Sequence, residues 1–444
     1  MSNFATQLKA FKRRVFKDAV ADGPSFEGTR GGNKGQKRKR SVDVDNVKVA
    51  KAVKKKKKGS KCEDPSVKYL KNPLKAPVCF KAKNFMQDVG FKKTFKIVLG
   101  PKTGWRTSCK LSVRGNPPVV GLFAPGSHEI IPLEESAVQH ESINKVVRIF
   151  AQAIVKLKVP GYDGKNPGGV SYVALNVESS TGKVQLIVVF NSKSPDEYIG
   201  KYKKVLAAIN KQAPNLLHSA WMHCNPANKH NNAIYSHDRN AWELIQGRDC
   251  VEESLTKVKS PKGLVLYFPP FVFRQANLAG FQNIIKEIRK WTPANSKVVE
   301  LYGGVGTIGL HLTDLARSVD CSDENPNNAD CFTKSLSTLP PKLRAKVAPY
   351  KPQSAENVIK NGCLDNNDLL VVDPPRKGLD RTVLDAIFSS PRIKRIIYVS
   401  CGFKAFRRDC EDLVSNGFKI AHAEGHILFP GADHIETLCI FDKV

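Results

Sequence analysis

Three stretches of the chain end apolar runs on reactive side chains. IIYVSCGF (396–403) stops on the thiol of Cys401, followed by glycine. LLVVDPPRKGLD (369–380) stops on Asp373, with two prolines stiffening the exit and Arg376 next in line. FPGADHIETLCIF (429–441) sets His434 and Glu436 at the start of another apolar run. A thiolate is a soft nucleophile, and a carboxylate among apolar neighbours holds its proton unusually tightly, which suits proton abstraction. The combination fits covalent chemistry on a pyrimidine. Sulfur adding at the electrophilic C6 turns C5 into an enolate carbon able to attack an electrophile, and a base must then remove the C5 proton.

A fourth stretch points to the electrophile's carrier. ELYGGVGTIGL (300–310) predicts a strand, a glycine turn and a helix, in which Gly304 and Gly306 let the backbone approach a ligand closely. The spacing is not that of a phosphate-binding P-loop with its lysine. Asp323, about 20 residues on at the end of the next strand, suits a ribose hydroxyl pair. On these residues alone, nicotinamide and S-adenosylmethionine both stay open. Amino-nitrogen methylation is disfavoured, because Arg376 stands where an Asp-Pro-Pro motif of that kind continues with a stacking aromatic residue.

The elements that must position these groups alternate strand and helix. From 263 to 444 short continuous apolar strands predict a mostly parallel sheet with helices on both faces, a Rossmann-like α/β domain whose ligands sit at the carboxyl ends of the strands. Residues 67–262 read as an α+β unit expected to bind RNA, with strands at 105–115 and 118–133, helices at 143–157 and 198–213, and a hairpin at 170–190. Residues 1–66 are a Lys/Arg-rich tail, too poor in large apolar groups to offset its ordering entropy, and disorder is expected.

Charge narrows the partners. The net charge is +30; residues 1–60 hold 18 Lys and Arg against 5 Asp and Glu, which leaves +17 on the rest. A folded body with that excess suits a polyanion, since neutralised phosphates release counterions. No apolar run approaches the roughly 18–20 residues of a spanning helix, so no membrane partner is expected. The 11 cysteines contain no C-x-x-C pair, which argues against a zinc ribbon or a disulfide framework. His218, His223, Cys224, His230 and His237 cluster in a loop-rich segment, but at no familiar zinc spacing. The basic clusters at 37–40 and 54–58 resemble a nuclear or nucleolar address, with a mitochondrial or other organellar presequence at the N-terminus as the alternative.

With these motifs in place, the chain resembles the S-adenosylmethionine-dependent RNA 5-methyluridine methyltransferases that act on tRNA and ribosomal RNA. FRQANLAG (273–280) is similar to the family's F-x-Q-x-N, ELYGGVGT (300–307) to D-L-[FY]-x-G-x-G-[NT], and FPGADHIE (429–436) to F-P-x-x-x-H-x-E. DPPRKGLD (373–380) is close to identical, and Arg407–Asp409 provide the family's R-R-D. The resemblance covers roughly three quarters of the chain. It implies a class I methyltransferase fold with Cys401 as nucleophile and Glu436 as proton acceptor. It also implies an S-adenosylmethionine site at Gln275, Tyr302, Gly304, Gly306, Thr307, Asp323 and Asp373, and RNA-contacting or supporting roles for Arg376, Arg408 and His434. The expected protein is a monomer acting on RNA, with no metal or iron–sulfur cluster and no N-terminal β-barrel. It departs from the family in carrying Cys-Gly-Phe where Cys-Asn-Pro is usual, and Gly303 where Cys is common. Two rivals stand beside this reading: an RNA cytosine-C5 methyltransferase, and an RNA-binding protein with an idle methyltransferase fold.

Overall fold

Continuous apolar runs with no alternation need cover on both faces, and the C-terminal half supplies it. The computed structural model describes residues 64–226, 234–236, 238–258 and 261–444; the basic clusters at 37–40 and 54–58, and His230 and His237, lie outside them. In chain order the strands are β1 Lys96–Leu99, β2 Ser108–Arg114, β3 Val119–Phe123, β4 Ile130–Pro132, β5 Val170–Val177, β6 Val184–Phe190, β7 Leu217–Cys224 and β8 Trp242–Gly247. They continue as β9 Val251–Glu253, β10 Leu266–Phe268, β11 Lys297–Leu301, β12 Ser318–Cys321, β13 Leu369–Val372, β14 Arg395–Ser400, β15 Phe418–Ile427 and β16 Glu436–Lys443.

One seven-stranded sheet runs β12-β11-β13-β14-β16-β15-β1. Its strands share one direction except β16, which pairs antiparallel with both β14 and β15. Alternation of side chains across the pleat divides the core in two. Val298, Leu369 and Ile397 face the helix Leu278–Trp291, and Val299, Leu370 and Ile396 face the helices Arg381–Ser389 and Phe403–Ser415. This is the expected Rossmann-like fold.

The other seven-stranded sheet runs β4-β3-β2-β5-β6-β7-β8 and is antiparallel apart from the β6–β7 pair. The helix Ile199–Gln212 makes that crossover, and with Glu141–Lys156 it covers one face, burying Val147, Phe150, Tyr202 and Val205 against Val173, Leu175, Leu186 and Val188. The hairpin expected at 170–190 is β5–β6, and both predicted helices form within two residues of their expected limits. No helix among the described residues is long and apolar enough to cross a membrane.

Two features differ from the sequence reading. Residues 64–99 do not join the α+β sheet. β1 closes the edge of the first sheet by pairing parallel with β15, and the helix Pro77–Asp88 buries Ala82, Phe85 and Met86 in the same core as Phe406 and Cys410. At the other boundary Val251, Leu255 and Val258 already belong to the C-terminal core. A partner more than 300 residues away leaves no local trace in β1 itself. Secondly, the helix expected after the glycine turn shrinks to a single 3-10 turn, Gly309–Leu312. The buried Glu300 carboxylate explains this: it accepts from the Gly309 N–H at 3.0 Å and the Cys321 thiol at 3.1 Å, drawing the turn onto the sheet.

Candidate active site

The predicted site residues are set at one end of the sheet by strand direction alone. β11, β13 and β14 are parallel and finish side by side, so Tyr302, Asp373 and Cys401 follow their last residues. β16 runs the other way, with Thr437 opposite Ser400, so its first residue, Glu436, lies beside the Cys401 end of β14. The nucleophile and the acid are 35 residues apart in sequence and neighbours in space.

These groups open on a cleft of about 540 Å³ lined by Gln275, Tyr302, Gly304, Asp323, Asp373, Arg376, Cys401, His434 and Glu436, among others. Thr307 lines a smaller adjoining pocket together with Gln275, Tyr302 and Gly304. Gly306 lines neither. It supports the turn from behind, where a Cβ would meet the Phe332 ring at 2.6 Å. Arg408 is also away from the cleft. Its guanidinium donates to the Lys377 and Leu379 carbonyls and to Asp409, whose buried carboxylate in turn accepts from the Leu379 N–H and the Tyr398 hydroxyl at 2.8 and 2.7 Å. Arg408 therefore shapes the loop after Asp373 from behind.

The glycine turn is built around Asp323. One carboxylate oxygen accepts from the Gly304 N–H at 3.1 Å, and the other from the Asn325 N–H and the Asn328 amide at 2.9 and 3.0 Å. The Tyr350 hydroxyl donates to the Gly304 carbonyl at 2.7 Å. Tyr302 is held at φ +61°, a left-handed conformation costly for a side chain of its size, and its buried hydroxyl has no protein partner. Strain and an orphaned hydroxyl at the edge of a cleft are features of a site shaped for a ligand.

Cys401 answers why a strand should end on a thiol. It is half-buried at the cleft, whereas the other described cysteines are buried. Its neighbour Gly402 fits because the Arg376 carbonyl would stand 2.5 Å from any Cβ there. Glycine is the residue that this close approach requires.

The electrostatics differ from those of a free thiol. Burial first, then the Glu436 and Asp373 carboxylates, push the Cys401 thiol up to about 11, with Arg376 opposing. An untuned cysteine would be a few per cent thiolate at neutral pH, and these surroundings shift the balance further toward the thiol. Burial, then Asp373, pushes Glu436 up to about 8, again against Arg376, and burial pushes Asp373 up to about 7. The raised Glu436 is what the sequence led one to expect. Burial lowers His434, whose ring meets Phe429 edge-on at 4.9 Å with Nδ1 3.9 Å from Glu436.

Four contributors were not singled out from sequence. Phe273, in FRQANLAG, is 70% exposed on the cleft wall. Arg274 next to it pairs with Glu253 deep in the junction between the two sheets and donates to the Val177 carbonyl. Asp433, in FPGADHIE, accepts from the Val78 N–H at the start of the helix Pro77–Asp88. Glu300 sits beneath the glycine turn, and burial pushes it up to about 7. The histidine cluster divides otherwise. His223 stacks on Trp242 and bonds Ala241 and Ser236, and His218 lies 3.4 Å from Glu178, so both are integrated in the α+β unit.

Comparison with known proteins gives the family. A family model described as tRNA (Uracil-5-)-methyltransferase matches residues 361–444, the segment that carries Asp373, Cys401 and Glu436. An uncharacterized RNA methyltransferase of Protochlamydia amoebophila is 34% identical over 362 residues, 80% of this chain and 90% of the relative. The chain belongs to this family of RNA methyltransferases. An uncharacterized RNA methyltransferase of Halalkalibacterium halodurans is 26% identical, over 72% of this chain and 66% of the relative. Among solved structures, the Pyrococcus abyssi tRNA (uracil-54, C5)-methyltransferase in complex with S-adenosyl-L-homocysteine superposes with a TM-score of 0.62, at 19% identity and 82% coverage of each chain. That likeness shows the shared fold. As an RNA methyltransferase, the chain acts on RNA.

Proposed function

We propose that this RNA methyltransferase moves a methyl group from S-adenosylmethionine to C5 of a uridine, with tRNA as the first substrate to assay, through a covalent bond between Cys401 and C6. The observation that carries the reading is the meeting of Cys401 and Glu436 at adjoining ends of β14 and β16, in a cleft shared with Asp323 and the glycine turn. The donor site fits an adenosyl sulfonium. Asp323 is fixed by backbone N–H groups where a ribose diol would be held, Tyr302 offers an unpartnered hydroxyl, and Gln275 and Thr307 complete the wall. When bound, the donor supplies an electrophilic methyl group.

The chain's own residues do the rest. The target base leaves its stack to enter the cleft. The Cys401 thiol loses its proton to water, and the thiolate adds at C6 while the C5–C6 π electrons move toward the C4 carbonyl. Arg376, at the rim, favours the thiolate and opposes the two carboxylates that disfavour it. C5 then takes the methyl. Glu436, acting in its ionised form, accepts the C5 proton, the C5–C6 double bond re-forms, and sulfur leaves as a thiolate with the electrons of the S–C6 bond. The experiment is methyl transfer to uridine-containing tRNA by the full chain and by Cys401→Ala, with the product read as 5-methyluridine by mass spectrometry. Complete loss in the variant, with S-adenosylhomocysteine binding retained, is expected. Near-normal turnover would end the covalent scheme, and 5-methylcytidine as the product would move the assignment to cytosine.

A further inference from the structure

We propose that residues 68–102, which brace the catalytic loop, form an RNA-backbone docking face; the inference rests on the uridine-methyltransferase reading and names where its substrate is gripped. The segment contains nine lysines, 68, 71, 75, 81, 83, 92, 93, 96 and 102, against one acid, Asp88, and all nine are exposed. The lysine ion pairs found among the described residues lie elsewhere, at Lys290, Lys334, Lys351 and Lys377. A solvated basic helix needs no further explanation by itself. Two observations set this one apart.

The first is attachment. The Tyr69 N–H donates to the Gly431 carbonyl at 2.8 Å, and the Val78 N–H to Asp433 at 2.8 Å. Both acceptors belong to the loop that carries His434 and Glu436, so Lys71 and Lys75 lie between two tethers to the catalytic loop. On its other side the helix packs Phe85 edge-on against Phe403 and Phe406, in the helix that follows Cys401. The backbone that carries the lysines is thus tied to the elements that carry both reacting side chains. The second is apolar exposure within the charge: Phe80 is 56% and Leu74 44% exposed among Lys71, Lys75, Lys81 and Lys83. Ammonium groups interleaved with an exposed aromatic ring suit a strand whose phosphates are neutralised while an unpaired base stacks.

The experiment compares two quadruple variants of the full chain. One carries Lys71→Ala, Lys75→Ala, Lys81→Ala and Lys83→Ala. The other carries Lys201→Ala, Lys203→Ala, Lys204→Ala and Lys211→Ala, on an equally exposed helix of the α+β unit. Each lost phosphate contact removes about 0.7–0.9 from the slope of log affinity against log salt, or a factor of about four at 0.15 M. The first variant is therefore expected to bind tRNA roughly 200-fold more weakly, with a slope shallower by about 3, and with kcat at saturating RNA and S-adenosylhomocysteine affinity unchanged. The second should lose less than tenfold. Equal losses in the two variants, or an unmoved slope in the first, overturn the docking face. Amine acetylation with and without tRNA gives a second measurement on the unmutated chain: protection must fall on lysines 71–83, and protection elsewhere only counts against the proposal. Because affinity and protection need no turnover, a chain that grips tRNA on this face yet makes no 5-methyluridine would defeat the reading of the site and leave the face standing.

Discussion

Replacing Glu436 by glutamine should make the protein more stable in mild alkali while stopping the reaction at a bound intermediate. In the folded chain its proton is held about three and a half decades more tightly than the ordinary carboxyl value of 4.5, reaching about 8. The group is buried, so the proton rather than solvent meets the demand for neutrality. A carboxyl of this kind contributes stability in full below about pH 4.5, and the contribution drains away as pH rises to about 8. At about 1.4 kcal/mol per decade the loss above pH 8 is on the order of 4–5 kcal/mol. Glutamine keeps the shape and never ionises, so this part of the pH dependence disappears. Urea unfolding at pH 5 and pH 8.5 measures it: the variant's advantage over the parent chain should grow by several kcal/mol between the two. With tRNA and S-adenosylmethionine present, the same variant should accumulate a protein–RNA adduct that survives denaturant, since the C5 proton has no acceptor. An advantage equal at both pH values would mean that Glu436 does not hold its proton tightly. Absence of any adduct would remove it from the elimination step.

Asp323→Ala should weaken S-adenosylhomocysteine binding about 10- to 100-fold, the worth of one or two charge-assisted hydrogen bonds; calorimetry showing less than a threefold change would dissociate this acid from the donor. Asp409→Ala should cost about 2–6 kcal/mol in urea unfolding, because it strands the Tyr398 hydroxyl and the Leu379 N–H that donate to its buried carboxylate. Asp409→Asn should recover part of that loss, which a role confined to charge would not allow.

Much of the site could be read from the sequence because its parts are local. A buried parallel strand is a continuous apolar run, and β11, β13 and β14 each end where a Tyr-Gly, Asp-Pro or Cys-Gly pair interrupts the run. Direction then does the assembly. What stayed hidden depends on distant partners. The pairing of β1 with β15 is invisible in KIVL, and the shortening of the helix after the glycine turn depends on a carboxylate whose burial no spacing reveals. Arg408 shows a related limit: the motif marks the position, but only the surrounding carbonyls show that it supports a loop. The thiol's reluctance to ionise comes from burial first, and then from two acids that arrive from β13 and β16.

The pairing of β1 also governs how the α+β unit can move. The chain leaves the C-terminal layer after Leu99, builds β2 to β8, and re-enters that layer from Val251 onward. A module joined by a single linker can swing, whereas one spliced into its neighbour at two points has lost most of that freedom before any contact is counted. The span between its surface and the cleft is thereby constrained at both ends of the insertion.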